Sequence, residues 1–276
     1  MELEGYKKME IKELQKLQLE IMKEIHEKCV QHNIKYYIIA GSLLGAVRHG
    51  GFIPWDDDID IAMMREDYDK FMSLFPQIMD TNQLFLQHYG SDVDFRPALM
   101  RVCIKGTYLD FSCEAHWRYC KNTYIDIFPL DNVPDTDEEQ VSQEIELKRL
   151  DKIIRAKLYR MHEENSTLTK LVKKMRACLL AIYPLKKLQK DILSVMTKYN
   201  HSQTEKVCSM ASHYSYKKQS MPRIIYGTPT LVKFEDTELY APEKVTEYLV
   251  HLYGENFMQI PPEGKRDVPN DVYIKV

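Results

Sequence analysis

The chain has 276 residues, of which 44% are apolar and 29% are charged, and its formal net charge is -3. This composition is that of a globular protein able to bury a sizeable core, and it excludes a chain dominated by disorder. Because the net charge is weakly acidic, it provides no general attraction for nucleic acid, and we expect no nucleic-acid partner.

The start of the chain lacks the basic residues, apolar core and cleavage site of a signal peptide, so we expect a cytoplasmic protein. The longest apolar run, 177–185, is too short to cross a bilayer, and the six scattered cysteines are expected to be free thiols. Apolar residues at helical spacing predict an amphipathic helix over residues 11–32. The run 34–40, rich in Tyr and Ile, predicts the first strand.

A Gly-Ser pair at the end of this strand is the first chemical pattern. Gly41 allows a tight turn and close approach of another group to the backbone. Ser42 offers a hydroxyl and an N–H group at the start of a predicted short helix over residues 43–49, where the helix dipole favours an anion. The pair therefore predicts a phosphate contact.

Two basic side chains end the short helix. Arg48 can hold a diphosphate in a bidentate manner, and the alternative is an ordinary surface ion pair. His49 suits phosphate contact and helix capping equally well.

An acidic run after Trp55 predicts a metal site. On a strand, Asp58 and Asp60 share one face, while the isoleucines beside them share the other. Two converging carboxylates repel each other unless a cation lies between them, and Mg²⁺, with Mn²⁺ as the alternative, meets this need. Asp56 and Asp57 are expected to support or cap the ligands; the alternative is a solvated acidic loop. A metal beside a phosphate contact indicates a nucleotide substrate.

The patterns that follow predict one helix and three strands, over residues 67–79, 84–89, 98–104 and 107–111. The last two strands are expected to form a hairpin at Gly106. Arg101 and Lys105 either project toward phosphates or lie at the surface. A structural Zn²⁺ site is the alternative to free thiols for four residues of suitable type, whose spacing matches no strong zinc pattern: Cys103, Cys113, His116 and Cys120.

The run 123–130 is the second chemical segment. Asp126 lies between two isoleucines, the same buried-strand pattern that surrounds Asp60. Such a carboxylate can bind a metal or act as a general base, and the alternative is a turn cap before Pro129.

The second half of the chain is mainly helical in pattern. A long helical region continues from Pro134 to about residue 199, with breaks near residue 165 and at Pro184. Basic residues surround apolar ones within 170–190, which suits peripheral contact with the inner face of the membrane; the alternative is ordinary packing. The remaining patterns predict strands and then a helix, over residues 223–227, 231–234 and 241–253.

Taken together, Gly41, Ser42 and the segment 58–61 resemble the Gly-Ser and Asp-x-Asp signature of the nucleotidyltransferase fold. The longer string LLGAVRHGGFIPWDDDIDIAM is similar to the LicD family of phosphocholine transferases, as are segments 124–131 and 232–262. The resemblance implies an α/β (α+β) fold, with a nucleotidyltransferase-like mixed sheet flanked by helices and a mainly helical second half. We expect three parts: a catalytic core, a helical region and a C-terminal segment that packs back on the core, at residues 1–134, 135–206 and 207–276.

The resemblance also implies an activity, namely metal-dependent transfer of phosphocholine or a similar phospho-alcohol from a CDP-alcohol to a hydroxyl of a cell-surface glycan. The acceptor would be of the lipopolysaccharide or teichoic acid type, in some cases lipid-linked. Asp126 matches the third carboxylate of such sites, so the implied catalytic residues and metal ligands are Asp58, Asp60 and Asp126. Implied substrate and phosphate contacts are Gly41, Ser42, Arg48, His49, Trp55 and Glu235, the last in a segment that closes over the substrate. An aromatic cage for a quaternary ammonium group could draw on Trp55, Trp117, Tyr119, Tyr124 and Phe128.

Three alternatives stay open. A nucleotidyltransferase that adds NMP to a small molecule would use the same carboxylates. A transferase that uses CDP-ribitol or CDP-glycerol would replace the aromatic cage with hydrogen-bonding groups. A non-catalytic glycan-binding protein predicts that Asp58→Asn leaves ligand binding intact, and the set of retained carboxylates argues against it.

Overall fold

The computed structural model describes residues 5–92, 94–110, 121–158, 183–266 and 269–275. Its helices are α1 (Ile11–Gln31), α2 (Ala40–His49), α3 (Arg65–Ile78), α4 (Asp137–Leu158), α5 (Leu185–Met196), α6 (Tyr216–Gln219), α7 (Arg223–Tyr226) and α8 (Val245–Tyr253), with a 3-10 turn at Glu263–Lys265. Its strands are β1 (Tyr6–Lys8), β2 (Tyr37–Ile38), β3 (Asp60–Met64), β4 (Leu84–Gln87), β5 (Met100–Ile104), β6 (Thr107–Asp110), β7 (Tyr124–Val133), β8 (Lys206–Cys208), β9 (Ser220–Pro222), β10 (Thr230–Phe234), β11 (Thr237–Ala241) and β12 (Asp271–Lys275).

A mixed sheet in the order β2-β3-β7-β5-β4 forms the centre of the molecule. β3 and β7 run parallel, while the other neighbours in this order run antiparallel. The far end of the long strand β7 pairs with β8, which in turn pairs with β9. Helices together with this mixed sheet give an α/β fold, so the predicted fold class is confirmed.

Two smaller pairings involve the C-terminal part. β12 lies between β1 and β6 in an antiparallel sheet, and β10 forms a hairpin with β11. The predicted hairpin between β5 and β6 is therefore wrong. β5 has β4 on one edge and β7 on the other, so no edge remains for β6. Gly106, with a φ of 80°, carries the chain out of the central sheet toward β12.

Local patterns predicted most of the helices. The expected helix over 11–32 is confirmed by α1, and Pro184 immediately precedes α5 as predicted. The expected strand over 223–227 is wrong, because this segment forms the one-turn helix α7 after Pro222. In α7, Ile225 and Tyr226 are buried while Ile224 is exposed, so a short apolar run that resembles a strand packs as one helical turn.

The main hydrophobic core includes residues from Leu19 in α1 to Leu252 in α8, so helices from both halves of the chain pack into one core. A second cluster joins the helices α4 and α5 around Leu150, Leu188 and Met196. The predicted boundaries of three parts, at residues 134 and 206, stay a prediction.

Within the part of the chain that the structure describes, no helix is long and apolar enough to cross a bilayer. Much of the predicted basic amphipathic region, 170–190, lies outside the described residues. Its proposed contact with a membrane therefore stays a prediction.

Candidate active site

The Gly-Ser pair lies in the first turn of α2, next to the start of β3. The hydroxyl oxygen of Ser42 accepts a 2.8 Å hydrogen bond from the backbone N–H of Asp60. The residue before the pair, Ala40, has a φ of 47°, and its N–H donates to the hydroxyl of Tyr248 at 3.3 Å. A Cβ atom at Gly41 would lie only 2.8 Å from Oδ2 of Asp56. Glycine at this position therefore leaves room for the acidic loop, and the serine links that loop's strand to the helix.

Strand register brings two predicted carboxylates side by side. Asp60 on β3 is the direct partner of Asp126 on the parallel strand β7, and the N–H of Asp126 donates to the carbonyl of Ile59 at 3.1 Å. Directly opposed residues of neighbouring strands project to the same face of a sheet. Asp58 precedes β3, so the strand alternation that predicted its position does not extend to it.

The acidic loop before β3 contains a tight carboxylate group. One carboxylate oxygen from each of Asp56, Asp57 and Asp58 lies within 4.8 Å of the others. This group differs from the predicted trio of metal ligands, which shares only Asp58 with it. Asp57 also contacts a distant part of the chain. Its Oδ2 accepts hydrogen bonds from the backbone N–H and the side-chain amide of Asn270, at 2.7 and 2.9 Å.

Burial and mutual repulsion shape the ionisation of these carboxyls. Burial raises the pKa of Asp58 well above its ordinary value, and the negative charges of Asp60 and Asp56 raise it further. Burial likewise raises the pKa of Asp60, with further contributions from Asp126 and Asp56 that the positive charge of Arg101 partly offsets. A set of partly buried carboxylates that disfavours its own negative charge fits a hard divalent cation with oxygen ligands.

Arg101 is a further functional candidate. From the sequence alone, a position facing phosphates and a position at the surface could not be distinguished for this residue. It lies on β5 directly opposite Asp126, and its Nε donates a 2.7 Å hydrogen bond to Oδ1 of that residue. Its guanidinium carbon lies 3.8 Å from the centre of the Tyr124 ring. The available signal was an arginine within an otherwise apolar strand. Lys105 instead donates to the carbonyl of Thr81 at an exposed position.

The predicted phosphate contact Arg48 lies against the C-terminal segment. Its Nη1 donates to the carbonyls of Phe257 and Gln259, each at 3.2 Å, and its Nε bonds Nε2 of His49 at 3.0 Å. Burial and the neighbouring Arg48 lower the pKa of His49. These contacts join α2 to the C-terminal segment, and a role of either residue in phosphate binding stays a prediction.

Two of the predicted cage aromatics contact arginine side chains. The Arg266 guanidinium lies 4.3 Å from the centre of the Trp55 ring, and Arg101 covers Tyr124. Phe128 borders a cavity beside Asp126. The remaining cage candidates, Trp117 and Tyr119, lie outside the described residues. Three of the predicted zinc ligands also lie outside them, namely Cys113, His116 and Cys120. The fourth, Cys103, is buried, and its thiol donates to Gln87 Oε1 at 3.6 Å.

Glu235 supports the turn between α2 and the acidic loop. Its carboxylate accepts a 3.0 Å hydrogen bond from the N–H of Phe52, and its own N–H donates to the carbonyl of Gly50 at 2.8 Å. It has a φ of 54°, and its side chain occupies the space where a Cβ of Gly51 would lie. These contacts are those of a residue that holds a turn.

A cavity of about 460 Å³ opens beside the Arg101 and Asp126 pair. Its lining includes Lys148 and Arg155 on α4 and Arg96 in the loop between β4 and β5, with their acidic partners Glu144 and Asp151. Ser209 also lines it. The hydroxyl of Ser209 is buried and has no hydrogen-bond partner within the described part of the chain. A larger cleft of about 880 Å³, near Lys35 and Arg223, contains none of the predicted site residues. The smaller cavity is therefore the candidate substrate pocket.

Comparison with known proteins identifies the same region. Residues 33–153 match the family model described as LicD/FKTN/FKRP, nucleotidyltransferase domain, and this span contains the Gly-Ser pair and all the predicted metal ligands. The chain is 26% identical over 268 residues to the lipopolysaccharide cholinephosphotransferase LicD of Haemophilus influenzae, a match that covers 93% of this chain and 94% of that protein.

Two further relatives match over shorter segments. An uncharacterised protein of Rickettsia prowazekii is 38% identical over 116 residues, which are 42% of this chain and 40% of that protein. The human ribitol 5-phosphate transferase FKRP is 29% identical over 97 residues, which are 35% of this chain and 17% of that protein. The resemblance inferred from the motifs is confirmed: residues 33–153 carry a nucleotidyltransferase domain of the LicD type, and the similarity to the Haemophilus protein extends over nearly the whole chain.

Proposed function

We propose that this chain transfers phosphocholine, or a similar phospho-alcohol, from a CDP-alcohol to a hydroxyl of a cell-surface glycan in a reaction that depends on Mg²⁺. The observation that supports the proposal most directly is the parallel register of Asp60 and Asp126, with Ser42 bonded to the backbone of Asp60. This arrangement combines a carboxylate pair with a hydroxyl at the start of a ten-residue helix. Cation binding and phosphate binding would then occur at adjacent positions.

The proposed ligands of the cation are Asp58, Asp60 and Asp126. All three are carboxylates, the ligand type that Mg²⁺ prefers, and the raised pKa values of Asp58 and Asp60 mean that their negative charges need compensation. When bound, Mg²⁺ would supply charge neutralisation for the diphosphate and for the leaving nucleotide. Mn²⁺ is the alternative ion.

In the proposed reaction, the acceptor hydroxyl oxygen attacks the phosphorus atom of the phospho-alcohol. A new O–P bond forms while the P–O bond to CMP breaks, and CMP leaves with the electron pair of that bond. Asp126 accepts the hydroxyl proton, and Arg101 holds the carboxylate in place through its 2.7 Å hydrogen bond. Ser42 and the backbone at Gly41 orient the phosphate oxygens.

The cavity beside Asp126 is the proposed place of the substrate. Its volume of about 460 Å³ lies within the ordinary range for small-molecule sites. The basic side chains in its lining are paired with acidic ones, Arg96 and Arg155 with Asp151, Lys148 with Glu144 and Arg101 with Asp126, so the wall is polar with charges of both signs. The buried hydroxyl of Ser209 is an additional hydrogen-bonding group. Phe128 adds an apolar contact at the same wall.

A transferase that uses CDP-ribitol is the second candidate. The human relative is named a ribitol 5-phosphate transferase. In addition, the loop that closes the cavity contributes polar groups suited to a polyol: Ser209, Ser212, His213 and Ser215. The alcohol of the CDP-alcohol that the protein uses, choline or ribitol, therefore distinguishes the two candidate functions.

The deciding experiment measures CMP release and the mass of the modified acceptor with CDP-choline, CDP-ribitol and CDP-glycerol, each in Mg²⁺ and in a chelator. Thermal unfolding with the same ligands gives an independent measure of binding, because a ligand of the native state raises its stability. We expect one CDP-alcohol to give Mg²⁺-dependent turnover and thermal protection. A product that gains a nucleotide instead of a phospho-alcohol would overturn the proposal in favour of NMP transfer.

The matched variants are Asp60→Asn and Asp236→Asn. Asp236 is an exposed aspartate paired with Lys23, so its substitution controls for the loss of one negative charge. We expect loss of turnover in the first variant and wild-type turnover in the second. Full activity of Asp60→Asn, or equal CMP release in chelator and in Mg²⁺, would contradict the proposal.

A further inference from the structure

Two buried glutamines on α1 contact the backbone of the acidic loop. Gln15 and Gln18 are one turn apart and are 3% and 1% exposed. Nε2 of Gln15 donates to the carbonyls of Ile53 and Asp56, at 3.2 and 2.9 Å. Helix α1 thus holds the main chain on both sides of Trp55, immediately before the predicted metal ligands.

Gln18 connects the acidic loop to a second segment of the site. Its Nε2 donates to the carbonyl of Asp57 at 2.8 Å and to the carbonyl of Tyr124 at 3.3 Å. Asp57 is adjacent to Asp58, while Tyr124 lies two residues before Asp126 on β7. One amide nitrogen therefore joins the two segments that carry the first and third predicted ligands.

The hydrogen bonds determine the orientation of both amides. Carbonyl oxygens can only accept, so the NH₂ group of each glutamine must face them. As a consequence, Oε1 of Gln15 and Oε1 of Gln18 are buried without a hydrogen-bond partner in the part of the chain that the structure describes. Burying a polar atom in this way costs free energy. The same face of α1 is otherwise apolar, with Leu14, Leu19, Met22 and Ile25 buried, so packing alone does not explain two glutamines here.

A residue near the C-terminus also contacts Asp57. Asn270, just before β12, donates two hydrogen bonds to its Oδ2, while Gln18 holds its carbonyl. Both the main chain and the side chain of this residue are therefore held, which restricts the neighbouring residue Asp58.

We propose that Gln15 and Gln18 are positioning residues, which fix the distance between the acidic loop and β7 and thereby pre-organise the metal ligands. The inference rests on the proposed function for the identity of the ion. Groups that orient metal ligands without touching the ion typically alter metal affinity by about 10–100-fold when they are removed. The effect of losing the glutamine amides should therefore appear in the Mg²⁺ dependence and not only in stability.

The test uses Gln18→Met and Gln15→Met, with Gln143→Met as the control. Methionine keeps a similar side-chain volume and removes the donor. Gln143 is also buried, donates to the carbonyl of Val195 and accepts from the hydroxyl of Tyr216, so it joins α4 to α5 and to α6 by a comparable number of hydrogen bonds. Two readouts are measured: the rise in melting temperature on titration with Mg²⁺ alone, and the Mg²⁺ concentration for half-maximal CMP release.

We expect all three variants to melt at lower temperature than the wild type in a chelator. Only Gln18→Met and Gln15→Met should shift both Mg²⁺ midpoints upward, by roughly tenfold or more. If Gln15→Met and Gln18→Met have the same Mg²⁺ midpoints as Gln143→Met, this inference is overturned and the proposed function stays intact. A wild-type protein without any response to Mg²⁺ would overturn both. If Gln18→Met does not fold, the Mg²⁺ midpoints of Gln15→Met decide the question.

Discussion

Nε of Arg101 lies 2.7 Å from Oδ1 of Asp126, and the two residues face each other across the antiparallel strands β5 and β7. Both are buried, with exposed fractions of 8% and 7%. The guanidinium also stacks on Tyr124 and lies 5.5 Å from the centre of the Phe95 ring. Arg101 is therefore held in one orientation, and it keeps one oxygen of a predicted metal ligand at a fixed position.

Replacing Arg101 should destabilise the protein strongly, because removing one member of a buried ion pair leaves a costly charge. We expect Arg101→Met to lower the free energy of unfolding by about 3–5 kcal/mol, measured by urea denaturation without metal. The double variant Arg101→Met/Asp126→Asn should recover part of this loss. Arg149→Met, which removes an exposed pair with Glu146, is the control and should change stability little. A loss in Arg101→Met no larger than in this control would contradict the prediction.

Local sequence patterns were sufficient for the first part of the site. Gly41 and Ser42 follow an apolar run, and Asp60 precedes one, so short-range rules predicted their placement near a strand and a helix start. The pairing of Asp126 with Arg101 depends on strand order, which short-range rules do not determine. The incorrect hairpin at Gly106 has the same cause. The residues of a turn indicate that the chain changes direction, but they do not determine which strand the following segment pairs with.

The C-terminal contacts could not be predicted for a related reason. Arg48 contacts carbonyls about two hundred residues later in the chain, and Trp55 is covered by Arg266. Their side chains are polar or aromatic, so they suit contact with a ligand as well as contact with a distant part of the chain. Neighbours in sequence do not distinguish these two roles. Glu235 is similar, since its left-handed backbone and its bond to Phe52 follow from the docking of the β10–β11 hairpin on α2.

Stability in the absence of metal should depend on pH through the partly buried carboxyls Asp58 and Asp60. The pKa values of Asp58 and Asp60 are raised in the folded protein, by burial first and by neighbouring carboxylates second. An acid with a raised folded pKa stabilises the fold below its unfolded pKa, and this contribution is lost as pH rises through the folded pKa. The free energy of unfolding in a chelator should therefore fall as pH rises above the ordinary aspartate range.

Asp60→Asn provides the comparison for this pH effect. It removes one of the repelling charges, so its stability should fall less with pH and should exceed that of the wild type at neutral pH in a chelator. CMP release should be lost in the same variant. Urea denaturation across a pH series, with and without Mg²⁺, measures the effect. A wild-type stability that rises with pH in chelator would be inconsistent with the carboxyl cluster as described.

Gly41→Ala should affect activity more than stability. The added Cβ would lie 2.8 Å from Oδ2 of Asp56, the mobile end of a side chain, so the carboxylate can move away at modest cost. That movement disturbs the acidic loop beside Asp58 and Asp60, and a displacement of about 1 Å near reacting groups can lower the rate about a hundredfold. Steady-state kinetics and thermal unfolding measure the two effects. Gly264→Ala is the control, because a Cβ there meets nothing within 4 Å; equal kcat/KM in the two variants would refute the prediction.

Substitutions at Glu235 separate a turn-holding role from contact with the substrate. The carboxylate accepts a hydrogen bond from the N–H of Phe52, so Glu235→Gln, which retains an acceptor oxygen, should keep both stability and kcat/KM close to wild type. Glu235→Ala removes the acceptor and should lower the free energy of unfolding by about 1 kcal/mol. Once the rate is corrected for the folded fraction, its kcat/KM should remain near the wild-type value. If the carboxylate instead binds the substrate, Glu235→Gln should lower kcat/KM while the melting temperature stays unchanged.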